Sequence, residues 1–240
     1  MRQDVNYISG KVKNRIEQII PVRAWVPLTI EVLLNFAVYW GAMEITAGRH
    51  HYIMEMPLDG KIPLICQSTA IYFGCYLFWI ANYILIVRQS KEEMYRFLSA
   101  DFLAKIVCLV FFLVLPTTNV RPEITGDGFW EQTMRFLYGV DEASNLFPSI
   151  HCLTSWFCYI GIRKKKCVPA AYRAFSCMTA IAVCISTLTT KQHVLVDVPA
   201  GILLAEVCYR CAKPCGFAAV YEQTAERITG WLFKLNKKEY

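Results

Sequence analysis

Charge is what this 240-residue sequence has least of: Asp, Glu, Lys and Arg make up 18% of it, and stretches 62–87, 106–120, 146–162 and 174–190 contain none. Gaps of that length exclude an ordinary soluble domain and read as bilayer spans, in keeping with 55% hydrophobic residues and a mean hydropathy of +0.34. Internal repeats and low-complexity tracts are also missing, which excludes a fibrous or disordered protein. No cleavable signal peptide is visible, since a long charged stretch precedes Ala24 and no small-residue cleavage site follows it; the first span is expected to serve as the targeting signal. The absence of any N-x-S/T acceptor and the short loops point to a bacterial cytoplasmic membrane.

What is present is organised around those gaps. Spans are predicted at 24–46, 68–87, 98–116, 149–162, 172–190 and 193–210, each near the ~20 residues that ~30 Å of hydrocarbon requires. The net charge of +6 does not form a stripe for nucleic acid, because the cations lie between hydrophobic runs. Nineteen Lys and Arg fall in the N-terminal segment, the second and fourth connections and the tail, against five (Arg49, Lys61, Arg121, Arg135 and Lys191) on the other face. By the positive-inside rule both termini are then cytoplasmic. The expectation is an all-α, polytopic membrane protein with six transmembrane helices, one domain over 1–240.

Eleven cysteines do not imply a disulfide framework here, because most lie inside predicted spans, where they act as small apolar residues. Cys208, Cys211 and Cys215 are spaced C-x2-C-x3-C at the end of the last span; no fourth Cys or His follows, so structural or lipidated thiols are expected rather than a metal site. Glu31, in the first span, is read as a partner for another helix rather than for substrate. The tail from Phe217 reads as an amphipathic cytoplasmic helix with an interfacial ending at Trp231 to Lys234, and 56–64 as an outside interfacial segment that shapes lipid access.

The chemistry is sought among the few polar residues of the opposite face. His193 and Asp197 are four apart, so a carboxylate one helical turn from an imidazole can accept one ring proton and leave the other nitrogen free as a nucleophile. His151 opens the fourth span behind Pro148 and Ser149; Ser149 can cap the helix, and a helix N-terminus carrying Ser and His suits a phosphate. Arg121, followed by Pro122, adds a planar cation for the same anion. Phosphoryl transfer fits this anion cradle better than acyl transfer, because there is neither a Ser elbow nor a Ser-His-Asp order, and no Walker-type Gly loop.

In that order, R-P at 121–122, P-S-x-H at 148–151 and S-x6-H-x3-D from Ser186 to Asp197 resemble the membrane-bound phosphatidic acid phosphatase type 2 (PAP2) superfamily, with the core motifs within 98–210. The family's first motif is K-x6-R-P, but Val114 stands at the lysine position; Lys105 lies deeper and is expected to snorkel toward the cytoplasm. Thr187 stands where the third motif has its arginine, and Lys191 is the nearest cation that could substitute. Loss of both basic residues, with K-Q-H-x3-D retained, is similar to the branch of inositol phosphorylceramide and sphingomyelin synthases, and many bacterial phosphatases of the superfamily look alike in this respect.

The resemblance implies a metal-independent lipid phosphatase or phosphotransferase without cofactor, acting at the outer face on a lipid phosphate, phosphatidate-like or polyprenyl. His193 would form a phosphohistidine, Asp197 would orient it, and His151 would protonate the leaving alkoxide. Arg121, Ser149 and Lys191 would hold the phosphate oxygens. Two alternatives stand beside hydrolysis: transfer of a phospho-headgroup to a lipid hydroxyl, and a non-catalytic anion or lipid transporter.

Overall fold

In the computed structural model, residues 17–233 are described, and among them the regular structure is helical apart from one pair of two-residue strands. The helices are α1 (Val22–Thr46), α2 (Thr69–Val87), α3 (Lys91–Val114), α4 (Phe129–Val140), α5 (Ile150–Ile162), α6 (Ala170–Thr189), α7 (Asp197–Cys211) and α8 (Phe217–Phe233). Local chemistry sets several boundaries. Ser90 caps α3 by accepting from the Glu93 amide, with Glu92 and Glu93 in the first turn against the helix dipole. Ser149 caps α5 by accepting from the Cys152 amide at 3.3 Å. A π-helical stretch, Ala37–Gly41, interrupts α1.

Four stretches are long and apolar enough to cross a membrane: Val22–Thr46, Cys66–Val87, Lys91–Val114 and Ala170–Thr189. The other two of the six expected spans correspond to α5, with 13 residues, and α7, with 15. At 1.5 Å per residue α5 covers about 20 Å, short of a bilayer core. It sits centrally, packed against α2, α3, α6 and α7. Large apolar residues such as Leu77, Val110, Met178 and Leu203 point outward from the bundle, as in a protein whose surroundings are lipid. Between α5 and its neighbours the backbone comes close at two glycines: a Cβ on Gly161 would lie 2.4 Å from Ile86, and one on Gly201 of α7 would lie 2.6 Å from the Ser149 carbonyl oxygen.

Two sequence expectations change. The sixth expected span, α7, begins at Asp197 rather than His193, because the Thr187 carbonyl at the end of α6 accepts the amides of both Gln192 and His193 and Lys191 turns into the left-handed region (φ 55°), leaving 193–196 as a loop. Lys105 does not snorkel. It is 4% exposed in the middle of α3, with its ammonium 2.9 Å from Asp101 Oδ2 and 3.2 Å from Glu31 Oε2. Tyr83 of α2 donates to Asp101 and Tyr221 of α8 to Glu31 Oε1 at 3.0 Å, so four helices meet at this cluster. Glu31 thus bonds to neighbouring helices, as read from the sequence. The tail helix docks on α1 and α3 through Tyr221, Ala225 and Thr229, while Trp231 stays exposed; Lys234 and the basic residues after it lie outside the described residues.

At the end of the bundle where α1 and α3 finish, Tyr52–Ile53 (β1) pairs in parallel with Thr117–Thr118 (β2), Tyr52 facing Thr117. The same end holds the starts of α5 and α7, and with them the residues singled out in the sequence.

Candidate active site

His193 is positioned by its loop. Its ring Nδ1 lies 3.0 Å from Asp197 Oδ2, and the Val194 amide donates to the same oxygen at 3.0 Å. An ionised carboxylate can only accept, so Nδ1 carries the proton and Nε2 is left with a free lone pair. Asp197 is the first residue of α7, where the helix dipole favours its charge. Burial by itself would lower the pKa of His193, but the hydrogen bond and charge of Asp197 outweigh it and hold the imidazole above its ordinary value of about 6.5. The H-x3-D pairing expected on one helical face is made across a loop-to-helix corner.

His151, second in α5, faces it with ring centroids 6.1 Å apart. Its Nδ1 is 3.3 Å from the Tyr72 hydroxyl, which donates its own proton to Asp141 Oδ2. The hydroxyl oxygen can then only accept from the histidine, which puts the His151 proton on Nδ1; Nε2 is buried and has no protein partner. Tyr39 donates to the other oxygen of Asp141. Burial alone would raise the Asp141 pKa, yet His151 and the two tyrosine hydroxyls reverse this and hold the carboxyl below its usual range.

Both histidines line a cavity of about 190 Å³ walled by Tyr39, Trp40, Tyr72, Tyr76 and Trp79 from α1 and α2, with Asp141 in its lining. Trp40, Tyr76 and Phe36 are also exposed on the outer surface, so the cavity lies under the lipid-facing side of α1 and α2. A second cavity of about 340 Å³ reaches His193 from the other side and is lined by Arg121, Lys191, Asn119, Asp59 and Glu55.

The remaining sequence-predicted residues divide. Arg121 comes close: its guanidinium donates to the Asp141 carbonyl at 2.6 Å and to Gln192 Oε1 and lies 4.8 Å from the Tyr138 ring centroid, and its Nε has no partner. Ser149 is fully buried, lines neither cavity and uses its hydroxyl to cap α5. The Lys191 ammonium donates to the Asp59 and Ile62 carbonyls at 2.9 and 2.6 Å, and the residue lines the second cavity with Arg121 and His193. Sequence reasoning missed Asp141, Tyr39, Tyr72 and Gln192. Only Asp141 left a signal, as one of two adjacent carboxylates, with Glu142, about ten residues before His151 on the charge-poor face. Among the described residues no group of three or more His, Cys, Asp or Glu is placed to hold a metal ion. Cys208 is buried, and Cys211 and Cys215 are exposed, away from this site at the far end of α7.

The order of the motifs and their gathering around His193 agree with a family match: the PAP2 superfamily model matches residues 49–211. This chain belongs to the PAP2 superfamily. The match extends beyond the motif-bearing 98–210 through β1 and α2, the helix that brings Tyr72, Tyr76 and Trp79 to His151. No curated protein and no solved structure matches the chain. PAP2 members are generally phosphatases or phosphotransferases, and membership gives a phosphatase-type function.

Proposed function

We propose that this chain is an integral-membrane lipid phosphate phosphatase that releases phosphate from a phosphomonoester or pyrophosphate lipid, phosphatidate-like or polyprenyl. The observation carrying this reading is the pair of carboxylate-backed histidines facing one aromatic cavity beside the lipid-facing surface. His193 Nε2 attacks phosphorus, the bond to the lipid oxygen breaks, and the alkoxide takes a proton from His151 in its imidazolium form. The phosphohistidine is then attacked by water, whose proton passes to His151 Nε2, and inorganic phosphate leaves. Arg121, with Gln192 beside it, stabilises charge on the phosphate oxygens. These groups supply the required charge, so activity is expected without added metal. Protein purified in detergent should release phosphate from a short-chain phosphatidate or a polyprenyl phosphate in the presence of EDTA, and His193→Ala should not. Full activity of that variant would remove His193 as the nucleophile.

One observation favours transfer as a second reading. Around the histidines, among the described residues, Arg121 offers a guanidinium nitrogen with no partner, whereas two of the three Lys191 ammonium donors are taken by carbonyls. A phosphodiester headgroup carries less charge than a terminal phosphate and needs fewer cations, as in the inositol phosphorylceramide and sphingomyelin synthase branch. Mass spectrometry for a headgroup-exchanged lipid separates the two; free phosphate alone counts against transfer.

The proposed arrangement is one domain of six spans, α5 and α7 crossing inside the bundle, with both termini cytoplasmic and the site on the extracytoplasmic face of a bacterial cytoplasmic membrane. The nineteen-to-five distribution of cations supports it. Cys167, exposed in the connection between α5 and α6, should react with a membrane-impermeant maleimide only after cells are permeabilised. Labelling of intact cells would invert the topology.

A further inference from the structure

The connection between β1 and α2 reaches across to the loop that carries His193 and holds it on both sides. Asp59 is buried, and its carboxylate is spent entirely on backbone: Oδ2 accepts from the Met56 amide at 2.8 Å, folding its own turn, and Oδ1 accepts from the Leu195 amide at 2.7 Å. Contact also runs the other way. The Lys191 ammonium donates to the carbonyls of Asp59 and Ile62, and the Asn119 side-chain amide donates to the Lys191 carbonyl at 2.9 Å. Lys191 is held with φ at 55°, a backbone conformation that costs a residue with a Cβ, so these contacts maintain a turn the residue alone would not favour. The grip falls two residues before and two residues after His193. Further along, the Ile65 amide donates to the Thr189 carbonyl at 2.9 Å, and Thr189 Oγ1 to Ser68 Oγ at 2.8 Å, closing the same seam.

We infer that Asp59 and Lys191 are positioning residues: a reciprocal clasp that fixes the 191–195 loop so that His193 meets Asp197 on one side and the aromatic cavity on the other. The inference rests on His193 being the nucleophile. It assigns Lys191 a part other than phosphate ligand and gives 56–65 a mechanical task in the reaction. A misplacement of the attacking nitrogen by about 1 Å is enough to cost about 100-fold in rate, so loss of the clasp acts on turnover rather than on substrate affinity.

The test uses the full-length protein in detergent with Asp59→Ala, Asp59→Asn, Lys191→Met and the double variant Asp59→Ala/Lys191→Met. Steady-state kinetics on a short-chain phosphatidate are read with orthovanadate inhibition and amide hydrogen exchange. Asp59→Ala and Lys191→Met should each lower kcat by about 10- to 100-fold while KM and vanadate inhibition stay within about threefold. Asp59→Asn, which keeps an oxygen for the Leu195 amide, should recover most of the rate. The double variant should be little worse than either single one, because both remove one clasp. Exchange should quicken in peptides covering 189–196 and not in α3. A Lys191→Met enzyme with near-native kcat but tenfold weaker vanadate inhibition and raised KM would make Lys191 a phosphate ligand and overturn the clasp, as would native exchange over 189–196 in Asp59→Ala. If Asp59→Ala fails to fold, Lys191→Met reads the same clasp from its other end. Absence of turnover in the unmodified protein would refute the phosphatase reading alone, since exchange still reports the clasp.

Discussion

The mid-bundle cluster of Glu31, Asp101 and Lys105 and the cleft of His151, His193, Asp141 and Asp197 both bury carboxylates beside nitrogen bases, yet they are finished differently. In the first, the ammonium bridges two carboxylates and tyrosine hydroxyls from α2 and α8 donate to them, so that of the four carboxylate oxygens Asp101 Oδ1 alone lacks a partner. Neither cavity is lined by any of its three charged residues. In the second, His151 Nε2, Asp197 Oδ1, Arg121 Nε and Gln192 Nε2 are all buried without a protein partner. Buried polar groups are normally satisfied, so unmet ones concentrated around cavities mark where something else is to bind. Burial of charge alone would not have told the two apart.

Substitutions should separate the regions by what they damage. His193→Ala should reduce phosphate release by about three orders of magnitude or more while leaving the melting temperature in detergent nearly unchanged. An equal loss of stability would make the cleft structural as well. Lys105→Met should do the reverse, costing about 3–5 kcal/mol by leaving Glu31 and Asp101 uncompensated, read as a lowered melting temperature and folded yield. Asp197→Asn tests the electrostatics of the cleft. Because Asp197 raises the pKa of His193, the neutral nucleophile is lost as pH falls through a value above about 6.5. The acid limb of kcat/KM should therefore lie above that value and move to lower pH in the variant. The sign for stability is opposite: the protonated His193–Asp197 pair contributes most at low pH, and its contribution fades as pH rises through the raised pKa. Tyr72→Phe should have the smallest effect, about tenfold in kcat, since it breaks the link from His151 to Asp141 but leaves both residues in place. A change confined to stability would make Tyr72 a packing residue.

The apolar runs and cation distribution made the helical membrane architecture legible, because hydrocarbon imposes length and composition directly on the sequence. The candidates His193 and Asp197 were legible because their spacing is local to one corner, His151 because it opens a helix, and Arg121 as a cation followed by proline on the charge-poor face. Asp141, Tyr39 and Tyr72 were not, since they meet His151 only when α1, α2 and the segment before α5 pack together, and tyrosines in apolar helices look like ordinary core residues. The contacts of Lys191 were hidden for a related reason. A left-handed lysine pinned by carbonyls has the same sequence signature as a lysine aimed at phosphate. The start of α7 was misplaced because the left-handed turn at Lys191, closed by two amides on the Thr187 carbonyl, carries the chain past His193 before the helix begins, and backbone bonds leave no mark in residue spacing.

Gly201 gives the site a dimension that neither histidine controls. The backbone of α7 touches the Ser149 carbonyl at the start of α5 because one side chain is a single hydrogen, and His151 and the His193 loop ride on those two helix starts. The interval between acid and nucleophile is thus gauged by a backbone contact, like the jaws of a caliper closed on a fixed stop. Lengthening the stop by one carbon would widen the jaws without touching any reacting group, and selection on the chemistry would be felt at a residue that takes no part in it.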